Sequence, residues 1–188
     1  SNLIKDFDNI IIVGGMGNAM LKNTGVDIGK SICDDGYKDL VKEILEKSST
    51  HDCKIYYPLD IVVSKTLDGN GMIKEVNEVN KDEMILDIGP KTITSIKDII
   101  NKSNTVLWNG PAGYFENPNF SNGTKEILEI IAHKRSKNKI YAVAGGGETV
   151  AVINKFNKLD SFDFVSTAGG AFLEYLEGKE LPGIKALN

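Results

Sequence analysis

The feature that most narrows what this chain can fold into is a repeating order: a short β-branched run, then glycine, then a stretch whose apolar residues fall three and four apart. Runs of that composition suit strands buried on both faces, and the helical stretch after each carries the chain back to begin the next strand alongside. Residues 10–13, Ile-Ile-Ile-Val, form the first such run, and 16–23 read as a helix stopped by Gly25 in a C-cap position. A second helix is expected over 34–47, started by an Asp34-Asp35 cap and burying Tyr37, Leu40, Val41, Ile44 and Leu45 on one stripe. Strand material at 54–57 and 61–64 is separated by Pro58, and Asp68-Gly69-Asn70-Gly71 has the composition of a tight turn, so a small antiparallel excursion is expected there. The rhythm resumes with a strand at 84–86, a helix through Ile93, Ile96, Ile99 and Ile100, and a strand at 105–108. Helix 124–134, strand 140–144, helix 149–156, strand 162–165 and helix 171–176 complete it, closed by Gly178 as C-cap. The fold class that follows is α/β: a doubly wound, mostly parallel sheet with helices on both faces, because right-handed crossovers place helices over each face.

Charge and composition limit the partners. The 26 acidic and 22 basic residues leave a net charge of −4, so no diffuse positive field exists to hold a nucleic-acid backbone or an anionic membrane. Arg135 is the sole arginine, so any bound anion must be held mostly by backbone N–H groups and lysine. Cys33 and Cys53 give no disulfide framework and no metal-ligand spacing, which suits a reducing compartment. The first residues lack a basic-then-apolar signal pattern and the run at 10–13 is too short to span a bilayer, so a cytoplasmic, soluble chain is expected.

In doubly wound sheets ligands sit beyond the carboxyl ends of the strands, and here those ends carry Gly14-Gly15, Asn109-Gly110, Gly145-Gly146-Gly147 and Gly169-Gly170. Glycine between a strand and a helix N-terminus lets phosphate oxygens approach backbone N–H groups, where the helix end adds partial positive charge. Any single pair is as readily a plain tight turn. Recurrence at four strand ends argues for a phosphate-bearing ligand.

Other motifs carry less. The segment at 24–31 imitates a Walker A loop, but Thr24 replaces its first glycine and a helix precedes it. Gly15-Met16-Gly17-Asn18-Ala19-Met20 approximates a dinucleotide fingerprint with Met20 in the third glycine position, so a nicotinamide-dependent dehydrogenase is a weak reading. His51 and His133 have no partner at ligand spacing and suit solvated positions; Ser166 and Thr167 suit turn hydrogen bonding, and Trp108 suits the core. The run at 134–139 reads as a helix end and a solvated turn.

Taken together, Val13-Gly14-Gly15-Met16, Leu86-Asp87-Ile88-Gly89-Pro90, Trp108-Asn109-Gly110-Pro111-Ala112-Gly113-Tyr114-Phe115-Glu116, Gly145-Gly146-Gly147-Glu148-Thr149 and Ser166-Thr167-Ala168-Gly169-Gly170-Ala171 resemble the phosphoglycerate kinase family, in family order and over nearly the whole chain. The resemblance is to its C-terminal, nucleotide-binding half, a Rossmann-like domain. It implies phosphoryl transfer between 1,3-bisphosphoglycerate and ADP with Mg2+, giving 3-phosphoglycerate and ATP. It also implies a chain lacking the family's Gly-Gly-Ala-Lys strand segment and its N-terminal phosphoglycerate-binding domain, inactive alone and monomeric at full length.

By the same resemblance Gly14, Gly15, Ile32, Leu67, Leu86, Gly110 and Pro111 would form the adenine-side pocket, and Glu116 would bond the ribose hydroxyls. Asn109, Gly146, Gly147 and Thr149 would meet the ADP or ATP phosphates, Glu148 would take the magnesium-ligand position, and Gly169 and Gly170, with Gly146, would offer backbone donors near the transferring group. The sequence departs from the family pattern at Val13 and Ala168 in place of glycine, at Ile85 beside the adenine pocket, at Glu148 in place of a shorter acid, and at Phe172 in place of a small polar residue. Those departures motivate an alternative, a catalytically dead nucleotide-binding or interaction module.

Overall fold

The computed structural model describes residues 2–33 and 35–186. Its strands form three hydrogen-bonded sheets. β1 (Asn9–Ile11) and β2 (Lys54–Tyr56) pair in parallel, with Ile10 opposite Ile55. β3 (Asp60–Ser64) runs antiparallel to both its neighbours, β4 (Met72–Glu75) and β5 (Met84–Ile88), which is the expected antiparallel excursion. β6 (Thr105–Trp108), β7 (Tyr141–Gly145) and β8 (Phe164–Ser166) form a parallel sheet in that order. The helices are α1 (Gly14–Asn23), α2 (Lys38–Thr50), α3 (Pro90–Lys102), α4 (Asn122–Ser136), α5 (Gly147–Lys155), α6 (Gly170–Leu176) and a short α7 (Pro182–Lys185). The α/β character and the order of elements follow the sequence pattern. Asp34, half of the expected cap ahead of α2, lies outside the described residues, and a 3₁₀ turn over Asp35–Tyr37 leads into that helix.

Several boundaries differ from the pattern for one reason. α1 starts at Gly14 rather than Met16, and α5 at Gly147 rather than Thr149. Glycine's poor helix propensity argues for a later start, but the sharp turn out of a parallel strand is made on the glycines themselves, Gly14 at φ +61° and Gly146, just ahead of α5, at φ +93°. The glycines therefore carry the first N–H groups of their helices. β5 runs on to Ile88, which puts Asp87 inside a strand, and β8 begins only at Phe164, leaving Phe162 free to stack on Trp108 at 6.0 Å between ring centroids.

The main core lies between one face of β6 to β8 and helices α3, α4 and α5; Ile96, Ile100, Leu128, Ile131, Ala142, Ala144, Val152 and Trp108 are all buried in it. A second cluster joins Met20 of α1 and Val41 and Ile44 of α2 to Ile12 just beyond β1, and a third joins Leu21 to Ile61 and Val63 of β3. Helix ends are closed as their residues dictate. Gly25 sits at φ +96°, with its N–H on the carbonyl of Lys22 and that of Val26 on Leu21, and Gly178 closes α6 in the same way on Tyr175 and Glu174.

Lys134 lies in the last turn of α4, as expected of a helix end, but it is not solvated there: it is 7% exposed, and its ammonium donates to the carbonyls of Ile100, Asn101 and Ser103 at 2.8, 2.9 and 2.9 Å. It closes the C-terminus of α3, whose free carbonyls attract a cation. Sequence alone places Lys134 at the end of its own helix and does not show that α3 and α4 lie side by side.

Candidate functional site

Because β6, β7 and β8 are parallel and paired Trp108 to Ala144 and Gly145 to Ser166, their carboxyl ends open on one rim. Beyond them come Asn109-Gly110, Gly146-Gly147 and Gly169-Gly170. The first glycine pair joins this rim from β1: a Cβ at Gly14 would stand 3.1 Å from the carbonyl oxygen of Pro111. Gly14 also has φ +61°, so both its backbone and its neighbour require the missing side chain. Gly110 donates its N–H to Oγ1 of Thr149 at 2.6 Å, and a Cβ at Gly146, where φ is +93°, would lie 2.5 Å from Oδ1 of Asn109. The loops after β1, β6 and β7 are thus knit together by direct contact. The loop after β8 is tied in through Phe172, whose ring packs against Gly145 so closely that a Cβ there would come within 2.2 Å of it.

The space in front of these loops is open. A Cβ at Gly15, Gly110, Gly147, Gly169 or Gly170 would meet no atom within 4 Å. The helix starts differ according to where they lie. Those of α3 and α4 are satisfied by buried aspartates from the antiparallel sheet. Asp60 accepts the N–H groups of Lys91 and Thr92 at 2.9 and 2.8 Å, and Asp87 accepts that of Gly123 at 2.8 Å. Among the described residues the N-cap positions of α1 and α5, at the rim, make no side-chain cap bond. Their first N–H groups and the positive ends of their dipoles face the open space, the arrangement that binds phosphate.

The loop spanning 109–116 is fastened along its length. Besides the bond to Thr149, the N–H groups of Ala112 and Gly113 reach Oγ1 of Thr124 at 2.9 and 3.3 Å, and that of Tyr114 reaches the carbonyl of Leu86 at 2.7 Å. Both threonine side chains are fully buried. Pro111 comes next to Gly14 of the rim, and buried Leu86 lies against Gly113 of the same loop. Leu67, 47% exposed, gives its carbonyl to Nδ2 of Asn117 at 2.7 Å, which sets it beside exposed Glu116. Ile32 is 84% exposed and lies on the α1 side, its carbonyl held by Nδ2 of buried Asn18 at 3.2 Å. Ile85 turns its side chain into the cluster around Leu21, Ile28, Ile61 and Val63.

Glu148 is exposed in the first turn of α5, and among the described residues no group of three or more His, Cys, Asp or Glu could hold a metal ion. His51 and His133 are exposed. Arg135 is far from the rim: it pairs with Asp163 at 2.8 Å in an open hollow that Asn104, Lys139 and Tyr141 also line, at the amino ends of β6 to β8. That hollow lies at the opposite edge of the sheet from the glycine loops. Sequence reasoning missed the groups that brace the rim, Asp87, Thr124 and Lys155. Asp87 alone left a signal, as a lone acid within the apolar run of β5.

The model of one protein family, described as Phosphoglycerate kinase, matches residues 1–179. The chain belongs to the phosphoglycerate kinase family. It is 46% identical over its full length to a phosphoglycerate kinase of Zymomonas mobilis, of which it covers 48%, and 44% identical over 99% of its length to one of Rhizorhabdus wittichii, of which it covers 47%. The solved phosphoglycerate kinase of Coxiella burnetii superposes on all of this chain with a TM-score of 0.92 at 39% identity, the match covering 48% of that structure. The Pyrococcus horikoshii phosphoglycerate kinase superposes on 99% of it with a TM-score of 0.82 at 28% identity, covering 47% of that structure. The chain spans about half the length of the phosphoglycerate kinases it matches. Among the described residues no helix is long and apolar enough to cross a membrane.

Proposed function

We propose that this chain is the nucleotide-binding half of a phosphoglycerate kinase, working in the cytoplasm on ADP and ATP. Its partner substrates, 1,3-bisphosphoglycerate and 3-phosphoglycerate, would be held by a separate N-terminal domain, and the chain alone would not turn over. The observation that carries this reading is the meeting of uncapped, glycine-started α1 and α5 at one open rim. Phosphoryl transfer asks little covalent chemistry of the protein; it needs phosphates positioned in line and their charge neutralised. Backbone donors fixed by packing do both without reorganising. In this reading Asn109, Gly146, Gly147 and Thr149 line the phosphate end, Gly169 and Gly170 lie towards the transferring group, Gly14, Gly15, Ile32, Leu67, Leu86, Gly110 and Pro111 take the base, and Glu116 takes the ribose.

Magnesium fits these residues as an ion carried on the nucleotide. It needs oxygen ligands, retains several waters and commonly uses one or two carboxylates with substrate phosphates, and Glu148 in the first turn of α5 is the carboxylate on offer. When bound, it neutralises charge on the phosphate oxygens.

Calorimetric titration with ADP, with and without magnesium, tests the reading. One site per chain that tightens with magnesium is expected, and no heat with either, or displacement of ADP by NAD, would overturn it. The ring of Phe172 against Gly145 favours a second reading, a nucleotide-binding or interaction module without turnover. Joining the chain to a phosphoglycerate-binding half separates the two, since ATP formation in a coupled assay excludes the second.

A further inference from the structure

Lys155, the last residue of α5, is exposed, yet its ammonium is held by the backbone of another segment. Its ammonium donates to the carbonyl of Phe115 at 2.7 Å, reaches that of Glu116 at 3.4 Å, and stands 5.5 Å from the centroid of the Phe115 ring. That ring is itself buried, at 7% exposure, so the loop is anchored in the core just where the lysine grips it. At the other end of the same helix, Thr149 accepts the N–H of Gly110. α5 therefore holds the loop from Asn109 to Glu116 at both ends. An α-helix is stiff over its length, and the two grips, Thr149 and Lys155, are about 9 Å apart along its axis.

We infer that Lys155 is a positioning residue for the nucleotide: by fixing the backbone of Phe115 and Glu116, it holds the Glu116 carboxylate at a set distance from the phosphate-facing start of α5, so that a ligand bearing both a diphosphate and a vicinal ribose diol is recognised as a unit. This rests on the nucleotide reading above and adds to it a residue that touches no ligand. Without the ammonium, the carbonyls of Phe115 and Glu116 lose a charged donor. The Glu116 carboxylate then samples a range of positions, and the phosphate grip is left intact. The consequence is confined to ligands that use the diol.

The test is calorimetry of the unaltered chain, Lys155→Met, Lys155→Arg and Glu116→Gln with magnesium-ADP and with magnesium-2′,3′-dideoxy-ADP, alongside melting temperatures. The unaltered chain should prefer ADP by about tenfold, the value of one hydrogen bond to a charged group, and Lys155→Met should remove that preference while changing dideoxy-ADP affinity by less than about twofold. Lys155→Arg should restore most of it, because the guanidinium can still donate to both carbonyls. Glu116→Gln alters an exposed side chain, leaves the fold intact and should lose the same preference. Equal weakening of both ligands in Lys155→Met, in step with its melting temperature, would make the lysine a structural prop and overturn the inference. So would an unchanged preference in Glu116→Gln, or none in the unaltered chain. Failure of the unaltered chain to bind either ligand would overturn the nucleotide reading itself.

Discussion

Asp60 and Asp87 show how much the helix starts away from the rim depend on single buried groups. Each is 1% exposed, and each spends its carboxylate on the first turn of a helix supplied by a different part of the chain. Glycine is required around them for space: a Cβ at Gly89 would fall 2.3 Å from Cγ of Asp60, and one at Gly113 would fall 2.5 Å from Oδ1 of Asp87. Burial pushes the Asp87 carboxyl from the ordinary 3.8 up to about 6, against the opposing pull of backbone N–H bonds from Gly123, Ile88 and Asn122. The folded state then binds a proton more readily than the unfolded chain between pH 4 and 6, so this group's contribution to stability is greatest below its unfolded pKa and falls as pH rises through that window. Relative to Asp87→Asn, the native chain should lose up to about 3 kcal/mol of stability between pH 4 and pH 6.5, read from urea denaturation at each pH. A native chain that instead gains on the variant over that range would show the helix-start bonds outweighing burial. At the rim, Gly146→Ala puts a side chain into a positive-φ position against Asn109, and it should cost about 1–3 kcal/mol as well as nucleotide affinity. Gly147→Ala meets no protein atom and has ordinary φ, so its melting temperature should stay near native, while on the proposed nucleotide reading calorimetry should show weaker ADP binding, the methyl group standing in the space assigned to the phosphates.

At the scale of elements, the helices divide by what satisfies their ends. α3 is closed by protein at both, by Asp60 at its start and by Lys134 at its finish, whereas the N-cap position of α5 makes no side-chain cap bond at the rim and the helix is tied to the 109–116 loop through Thr149 and Lys155. Lys134→Met should therefore destabilise the chain by about 2 kcal/mol in denaturant, three carbonyls losing a charged donor, yet leave ADP affinity unchanged, since it acts at the opposite edge of the sheet. A loss of affinity beyond what the lower stability explains would show that the two edges are coupled. The elements themselves were largely legible in the sequence. β-branched runs and three-four apolar spacing fixed which stretches are strands and which helices, as in Thr105–Trp108 and the isoleucine stripe of α3, because those patterns reflect one-sided or two-sided burial directly. Helix starts were less legible: propensity placed them after the glycines, and the strand-to-helix turn placed them on the glycines. The bracing residues were not legible at all. Thr124, Thr149 and Lys155 look like ordinary helix residues until their partners, 11, 39 and 40 positions away, are brought alongside.

For the molecule as a whole, the rim gathers loops from β1, β6, β7 and β8, so a ligand bound there bridges segments far apart in the sequence. Magnesium-ADP at a hundredfold its dissociation constant should stabilise the fold by about 2.7 kcal/mol, which in a chain of this size raises the melting temperature by about 5–10 °C. Inorganic phosphate at the same concentration should produce little of that shift, and an equal shift would point to a bare anion site. What the sequence determined by itself was the alternation of strand and helix and the placing of glycine at the strand ends; these are local choices of residue that burial and turn geometry impose. Only the tertiary structure decided that Gly14 meets Pro111, that Thr149 meets Gly110, that Lys134 serves another helix and that Ile85 turns inward. Such pairings depend on how helices and strands pack across the sheet, and no spacing along one chain encodes the distance between residues on two different elements.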